Sequence, residues 1–90
     1  MAVITRKVVI PNQQGLHARP IAQICKLANA HEAQLLISLN GLEVDGRSVL
    51  EMMTLCAPRG SDLTVRADGK DALELVEKVV ELIEAGFGEP

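Results

Sequence analysis

An α+β fold is predicted for this chain: an open-faced β-sandwich of order βαββαβα, with a four-stranded, mostly antiparallel sheet covered on one face by three helices. Three observations lead there. Four β-prone stretches are separated by short turn signals, one of them the hairpin dipeptide Asn40-Gly41. Three other stretches carry apolar residues at helical spacing. Finally, 90 residues, 48% of them apolar and 23% charged, hold one hydrophobic core but not two. The chain is therefore expected to form a single domain over residues 1–90.

The first strand is expected over residues 2–10, which are rich in β-branched types and stop at Pro11-Asn12. Asn12-Gln13-Gln14-Gly15 reads as a polar loop. From Ala18 the apolar residues Ile21, Ile24, Cys25 and Ala28 fall at helical spacing, and Pro20 sits in the first turn, where a missing N–H costs nothing. Gln34 to Leu39 is the second strand, and Asn40-Gly41 turns it into the short strand Leu42-Glu43-Val44. After Asp45-Gly46-Arg47, Ser48 is expected to N-cap a helix from Val49 to Leu55, with Glu51 completing a capping box. On that helix Val49, Met52 and Cys56 are expected inward, and Leu50 and Met53 outward as an apolar pair. Pro58-Arg59-Gly60 ends it, and Asp62 to Ala67 alternates as the fourth strand. Asp68-Gly69 turns the chain into a third helix, Asp71 to Ala85, with Leu73, Val76, Val80 and Ile83 on its inner face. Its Glu74, Glu77, Lys78, Glu81 and Glu84 face water. Gly86 and Gly88 close it, and Phe87 to Pro90 is expected to fray.

Composition excludes several function classes. One Phe and no Tyr or Trp argue against stacking on nucleic-acid bases. Nine basic against twelve acidic residues, a net charge of −3, leave no broad cationic face for a phosphate backbone. The two cysteines, Cys25 and Cys56, lack CxxC or His companions at ligand spacing, so no metal site is expected and both read as buried free thiols. His31 reads as a solvated loop histidine, with no second titrating group nearby in sequence. No basic start with an apolar run and no stretch of about 20 apolar residues occurs, so the expected location is the cytoplasm, without membrane insertion.

The chemistry is concentrated in Gly15-Leu16-His17-Ala18-Arg19-Pro20. His17 stands where a loop enters a helix, and a helix start offers unpaired N–H groups and a partial positive charge to an anion. Gly15 permits close backbone approach or positive φ, and Arg19 adds a fork of donors suited to phosphate oxygens. An imidazole there, with an ordinary pKa near ~6.5, is a nucleophile able to take a phosphoryl group. On spacing alone a lone histidine at a helix start is more often a cap or a solvent-facing side chain. No catalytic triad, P-loop or carboxylate pair is present.

The run Pro11-Asn12-x-x-Gly15-Leu16-His17-Ala18-Arg19-Pro20 resembles the active-site signature of the HPr family, the histidine phosphocarriers of the bacterial phosphotransferase system. A second block, Arg47-Ser48-Val49-Leu50-Glu51-Met52-Met53-Thr54-Leu55, resembles that family's regulatory-serine helix, and the resemblance covers nearly the whole chain. It implies a carrier rather than an enzyme with turnover of its own, needing no cofactor. His17 would accept phosphoryl on Nδ1 from phospho-enzyme I and pass it to the A domains of sugar-specific enzymes II. Arg19 would contact the phosphate or partner, with Gly15 and Ala18 cradling it. Ser48 would be the regulatory phosphorylation site of an HPr kinase/phosphorylase. Leu50, Met53, Arg47 and Lys26 would form the docking surface of a monomer. Glu51, where many relatives are basic or neutral, and Asn29, which ends the first helix without a lysine, make the docking rim less basic. Two other readings use the same residues. One is a regulatory binding module, either a nitrogen-branch paralogue or a transcription-factor effector; the other is a small phosphate-ester hydrolase, for which His17 lacks a base or metal companion.

Overall fold

β-Branched residues build the first strand, β1 (Val3–Val9), in the computed structural model, which describes residues 3–90. Ala2, where the sequence places the strand's start, and Met1 lie outside the described residues. There follow α1 (Ala18–Asn29), β2 (Gln34–Leu39), β3 (Leu42–Asp45), α2 (Val49–Met53), β4 (Asp62–Asp68), α3 (Ala72–Glu84) and a 3-10 turn at Gly86–Gly88. The order is the expected βαββαβα. The sheet runs β1-β4-β2-β3, and each neighbouring pair is antiparallel. β4 holds the centre, with Val8 opposite Leu63 on one side and Ile37 opposite Val65 on the other. Asn40 (φ 51°) and Gly41 (φ 85°) are both left-handed, as a two-residue hairpin turn between twisted strands requires.

Period-two burial aims Leu63, Val65 and Ala67 of β4 and Leu35 and Ile37 of β2 at one layer. α1 covers them with Ile21, Ile24, Cys25 and Ala28. α3 adds Val76 and Ile83, as expected from sequence, but with Ala72, Leu75 and Val79 in place of Leu73 and Val80. Leu73 is 49% exposed and Val80 half-buried. The helix's rotation is set by Asp71, whose carboxylate accepts the N–H groups of Glu32 (3.0 Å) and Ala33 (2.7 Å). That anchor turns Ala72, Leu75 and Val79 onto the sheet.

Three further expectations need correction. α2 ends at Met53 rather than Leu55, because Cys56 takes a left-handed conformation (φ 48°) that breaks the helical period. Met52 is buried as expected, but Val49 and Cys56 are exposed, and Leu55 and Ala57 are buried in their place. Only Cys25 is a buried thiol. The capping box is half-made: Ser48 Oγ accepts the Glu51 N–H at 3.2 Å, whereas Glu51 Oε1 accepts from Asp45 N–H. His31 is not solvated. Its Nδ1 donates to the Leu27 carbonyl (2.7 Å), closing the end of α1, and Nε2 lies 3.5 Å from Glu74, a neighbour distant in sequence.

The tail departs most from expectation. Phe87, the chain's one aromatic residue, is buried, and full burial of such a side chain stabilises by about 1.5–3 kcal/mol. Gly86, Phe87 and Gly88 all take positive φ (68°, 59°, 76°), folding the chain back toward the start of α1. The Gln13 N–H then donates to the Pro90 carbonyl at 3.0 Å. No helix among the described residues is long and apolar enough to cross a membrane.

Candidate functional site

The loop from Asn12 to His17 is wound tightly before α1. Gly15 has φ +68°, and a Cβ there would lie 2.5 Å from the Ala57 carbonyl oxygen, so only glycine fits. The close approach is to the loop after α2, not to a ligand. The Gly15 N–H donates to the Asn12 carbonyl (3.2 Å), leaving it unavailable as a cradling donor. The Gly15 carbonyl accepts from His17 N–H (3.1 Å) and from Asn12 Nδ2 (2.8 Å). His17 is the extended N-cap of α1 and its side chain caps nothing. Its imidazole is free to project. Among the described residues the N–H groups of Ala18 and Arg19 have no hydrogen-bond partner, as expected of a first helical turn.

The projecting ring meets the tail. His17 Nε2 lies 2.7 Å from Glu89 Oε1, with the two side chains 33% and 12% exposed. Asn12 Nδ2 donates to the same oxygen at 2.9 Å. The hydrogen bond from His17 holds the Glu89 carboxyl below its usual range; the Asn12 bond and the charges of His17 and Arg19 act the same way, against partial desolvation. An ionised carboxylate has no proton to give, so Nε2 carries the hydrogen, and in the neutral ring the lone pair is then on Nδ1. Nδ1 has no hydrogen-bond partner among the described residues. A pocket of about 220 Å³ opens here, lined by Gln13, Gln14, His17, Arg19, Glu89 and Pro90. It brings together a nucleophilic nitrogen and a guanidinium, with the positive end of a helix beside them: the parts needed to receive a tetrahedral oxyanion.

The remaining candidates sit on a neighbouring surface. Leu50 and Met53 point outward, 80% and 51% exposed, on α2, which packs against α1. Lys26 is exposed in the last turn of α1. Arg47 is tied to the backbone of residues 31–33. Two residues of the site escape a local reading of the sequence. Asn12 opens the signature run yet passes for a loop residue, although it is buried and joins loop to tail. Glu89 carries no local signal beyond the glycines that flank Phe87 and allow the chain to turn back.

The family described as the PTS HPr component phosphorylation site matches residues 4–85, a span that stops short of Glu89. Phosphocarrier protein HPr of Cupriavidus necator is 38% identical over 97% of this chain and 98% of its own length. Phosphocarrier protein NPr of Proteus mirabilis is 33% identical over 93% of this chain and 94% of its own. The crystal structure of HPr-C-His from Thermoanaerobacter tengcongensis matches with a TM-score of 0.89 at 32% identity, covering 100% of this chain and 99% of that one. With sequence and fold both matched over nearly the full length, the chain belongs to the HPr family and is a phosphocarrier of the phosphotransferase system.

Proposed function

We propose that this carrier receives its phosphoryl group on Nδ1 of His17, from phospho-enzyme I, and hands it to the A domains of sugar-specific enzymes II. The observation that supports this is the 2.7 Å contact between His17 Nε2 and Glu89, which leaves Nδ1 as the ring's lone-pair nitrogen. Such a nucleophile requires no base to activate it. Arg19 and the free amides of Ala18 and Arg19 stabilise the charge on the transferring oxygens. Glu89, the carboxylate against His17, is engaged with Nε2 and with Asn12 Nδ2, which favours transfer over activation of water.

Incubation with phosphoenolpyruvate and enzyme I, followed by intact mass, tests the reading. The expected result is a gain of one phosphoryl group that is lost in mild acid and absent from His17→Ala, with a cooperative melt close to wild type. Transfer at a normal rate in His17→Ala would overturn it. The relative named NPr, at 33% identity, makes a nitrogen-branch enzyme I the natural second donor. Faster transfer from that donor would move the carrier to the nitrogen branch.

A further inference from the structure

We propose that Glu89 is a positioning residue for phosphoryl transfer: its carboxylate keeps the His17 proton on Nε2 and offsets the positive charge of the ring once Nδ1 is phosphorylated. The inference rests on His17 being the acceptor. It adds a residue that lies beyond the span matched to the family.

Glu89 is held in place by more than the imidazole. Asn12, itself buried, donates Nδ2 to the carboxylate oxygen that faces Nε2. The backbone is tied one residue on, where Gln13 N–H meets the Pro90 carbonyl at 3.0 Å. Upstream, the buried ring of Phe87 and the positive φ values of Gly86, Phe87 and Gly88 aim the tail at the start of α1. A non-glycine residue with positive φ persists only where its surroundings fix it. His17, Asn12 and Arg19 face the carboxylate and hold it below its usual range.

The chemical consequence follows from proton accounting. A solvated neutral imidazole exchanges its proton between both nitrogens, and a ring protonated on Nδ1 has no lone pair there to attack with. With Glu89 accepting from Nε2, the attacking nitrogen of the neutral ring is free. In the transfer step the Nδ1 lone pair forms a bond to phosphorus while the bond from phosphorus to the donor atom of phospho-enzyme I breaks. The electron pair of that bond leaves with the donor. His17 keeps its Nε2 proton and becomes an N-phosphorylated imidazolium, whose positive charge faces the Glu89 carboxylate. When the group moves on, the same proton lets His17 depart as neutral imidazole rather than as an anion. A carboxylate behind a catalytic histidine acts by the same logic in Ser-His-Asp sites.

The test uses the full chain labelled with 15N in the imidazole, with Glu89→Ala and Glu89→Gln. Ring nitrogen shifts report the tautomer, rapid quench reports acceptance from phospho-enzyme I, and thermal melts report the fold. Wild type should be almost wholly protonated on Nε2. Glu89→Ala should show a mixture of tautomers and accept phosphoryl about tenfold more slowly. Glu89→Gln should keep the tautomer, since its oxygen still accepts the proton, but should lose rate because it no longer offsets the ring's charge. An unchanged tautomer ratio in Glu89→Ala, or an equal or faster rate in either variant, would overturn the proposal. If wild type itself gains no phosphoryl group on His17, the acceptor assignment fails instead, and the tautomer ratio alone then decides whether Glu89 places the proton.

Discussion

The guanidinium of Arg47 is bonded to the backbone of His31, Nη2 donating to the carbonyl oxygen at 2.6 Å, with the carbonyls of Glu32 and Ala33 at 3.3 and 3.4 Å. A residue whose position suggests a docking rim thus joins the turn after α1 to the turn before α2. Arg47→Ala should therefore cost about 1 kcal/mol, the net worth of a hydrogen bond on a partly solvated group, and lower the urea midpoint without changing the slope. An unchanged midpoint with weaker enzyme I binding would reverse the assignment and return Arg47 to the rim.

Stability should fall in acid more steeply than surface carboxylates alone would cause. The backbone N–H of Glu32, and then that of Ala33, holds Asp71 below its usual range, and the imidazole of His17 does the same for Glu89. Both groups bind protons more tightly in the unfolded chain, so their stabilisation is complete above the ordinary carboxylate range and is lost as pH falls through the lower folded values. Urea midpoints measured from about pH 5 down to about pH 2 should show the decline. In Asp71→Asn the curve should start lower and run flatter. A parallel curve would mean that Asp71 contributes no pH dependence.

Leu50→Asp should leave the melting temperature nearly unchanged, because its side chain is 80% exposed. We expect it to weaken enzyme I binding severalfold, since Leu50 and Met53 form an outward apolar pair on α2, which packs against α1. Titration calorimetry reads the affinity. Unaltered binding would show that the pair is surface without a partner.

Ser48→Asp should keep or slightly raise the melting temperature, because the new carboxylate can take over the Glu51 N–H that Ser48 Oγ accepts at 3.2 Å. Arg47 is occupied elsewhere, and Glu51 adds a second negative charge close by. The added negative charge beside Leu50 and Met53 should oppose docking, and phosphorylation of His17 should slow with the partner below saturation. Equal rates would leave Ser48 as a helix cap and nothing more.

Elements set by local chemistry were legible from residues alone. Asn40-Gly41 specifies its turn, Pro20 and the Ile21-Ile24-Cys25-Ala28 spacing specify α1, and Ser48 caps α2 as read. Around His17 the residues alone give an anion-binding helix start, and the resemblance to the HPr family supplies the phosphocarrier reading. Features set by long-range contacts were not. The rotation of α3 depends on Asp71 meeting the amides of Glu32 and Ala33, and the tail's path depends on a cavity for Phe87 that exists only once the sheet and helices have closed. His31 read as solvated because Glu74 is distant in sequence, and Glu89 read as frayed for the same reason. Periodicity reports which residues seek burial, not which neighbour will pin them.

The strand order β1-β4-β2-β3 carries a consequence for synthesis. A ribosome that has polymerised the chain only as far as Arg59 has made His17 but no partner for β1, whose one neighbour among the described strands is β4. Such a nascent chain has only the β2–β3 hairpin, and an isolated hairpin is marginal in water. The histidine therefore stays on an unassembled segment until the central strand is made, and its carboxylate companion follows more than twenty residues after that strand begins. Truncated products should then be poor substrates for enzyme I, so an unfinished carrier does not draw phosphoryl groups away from the relay.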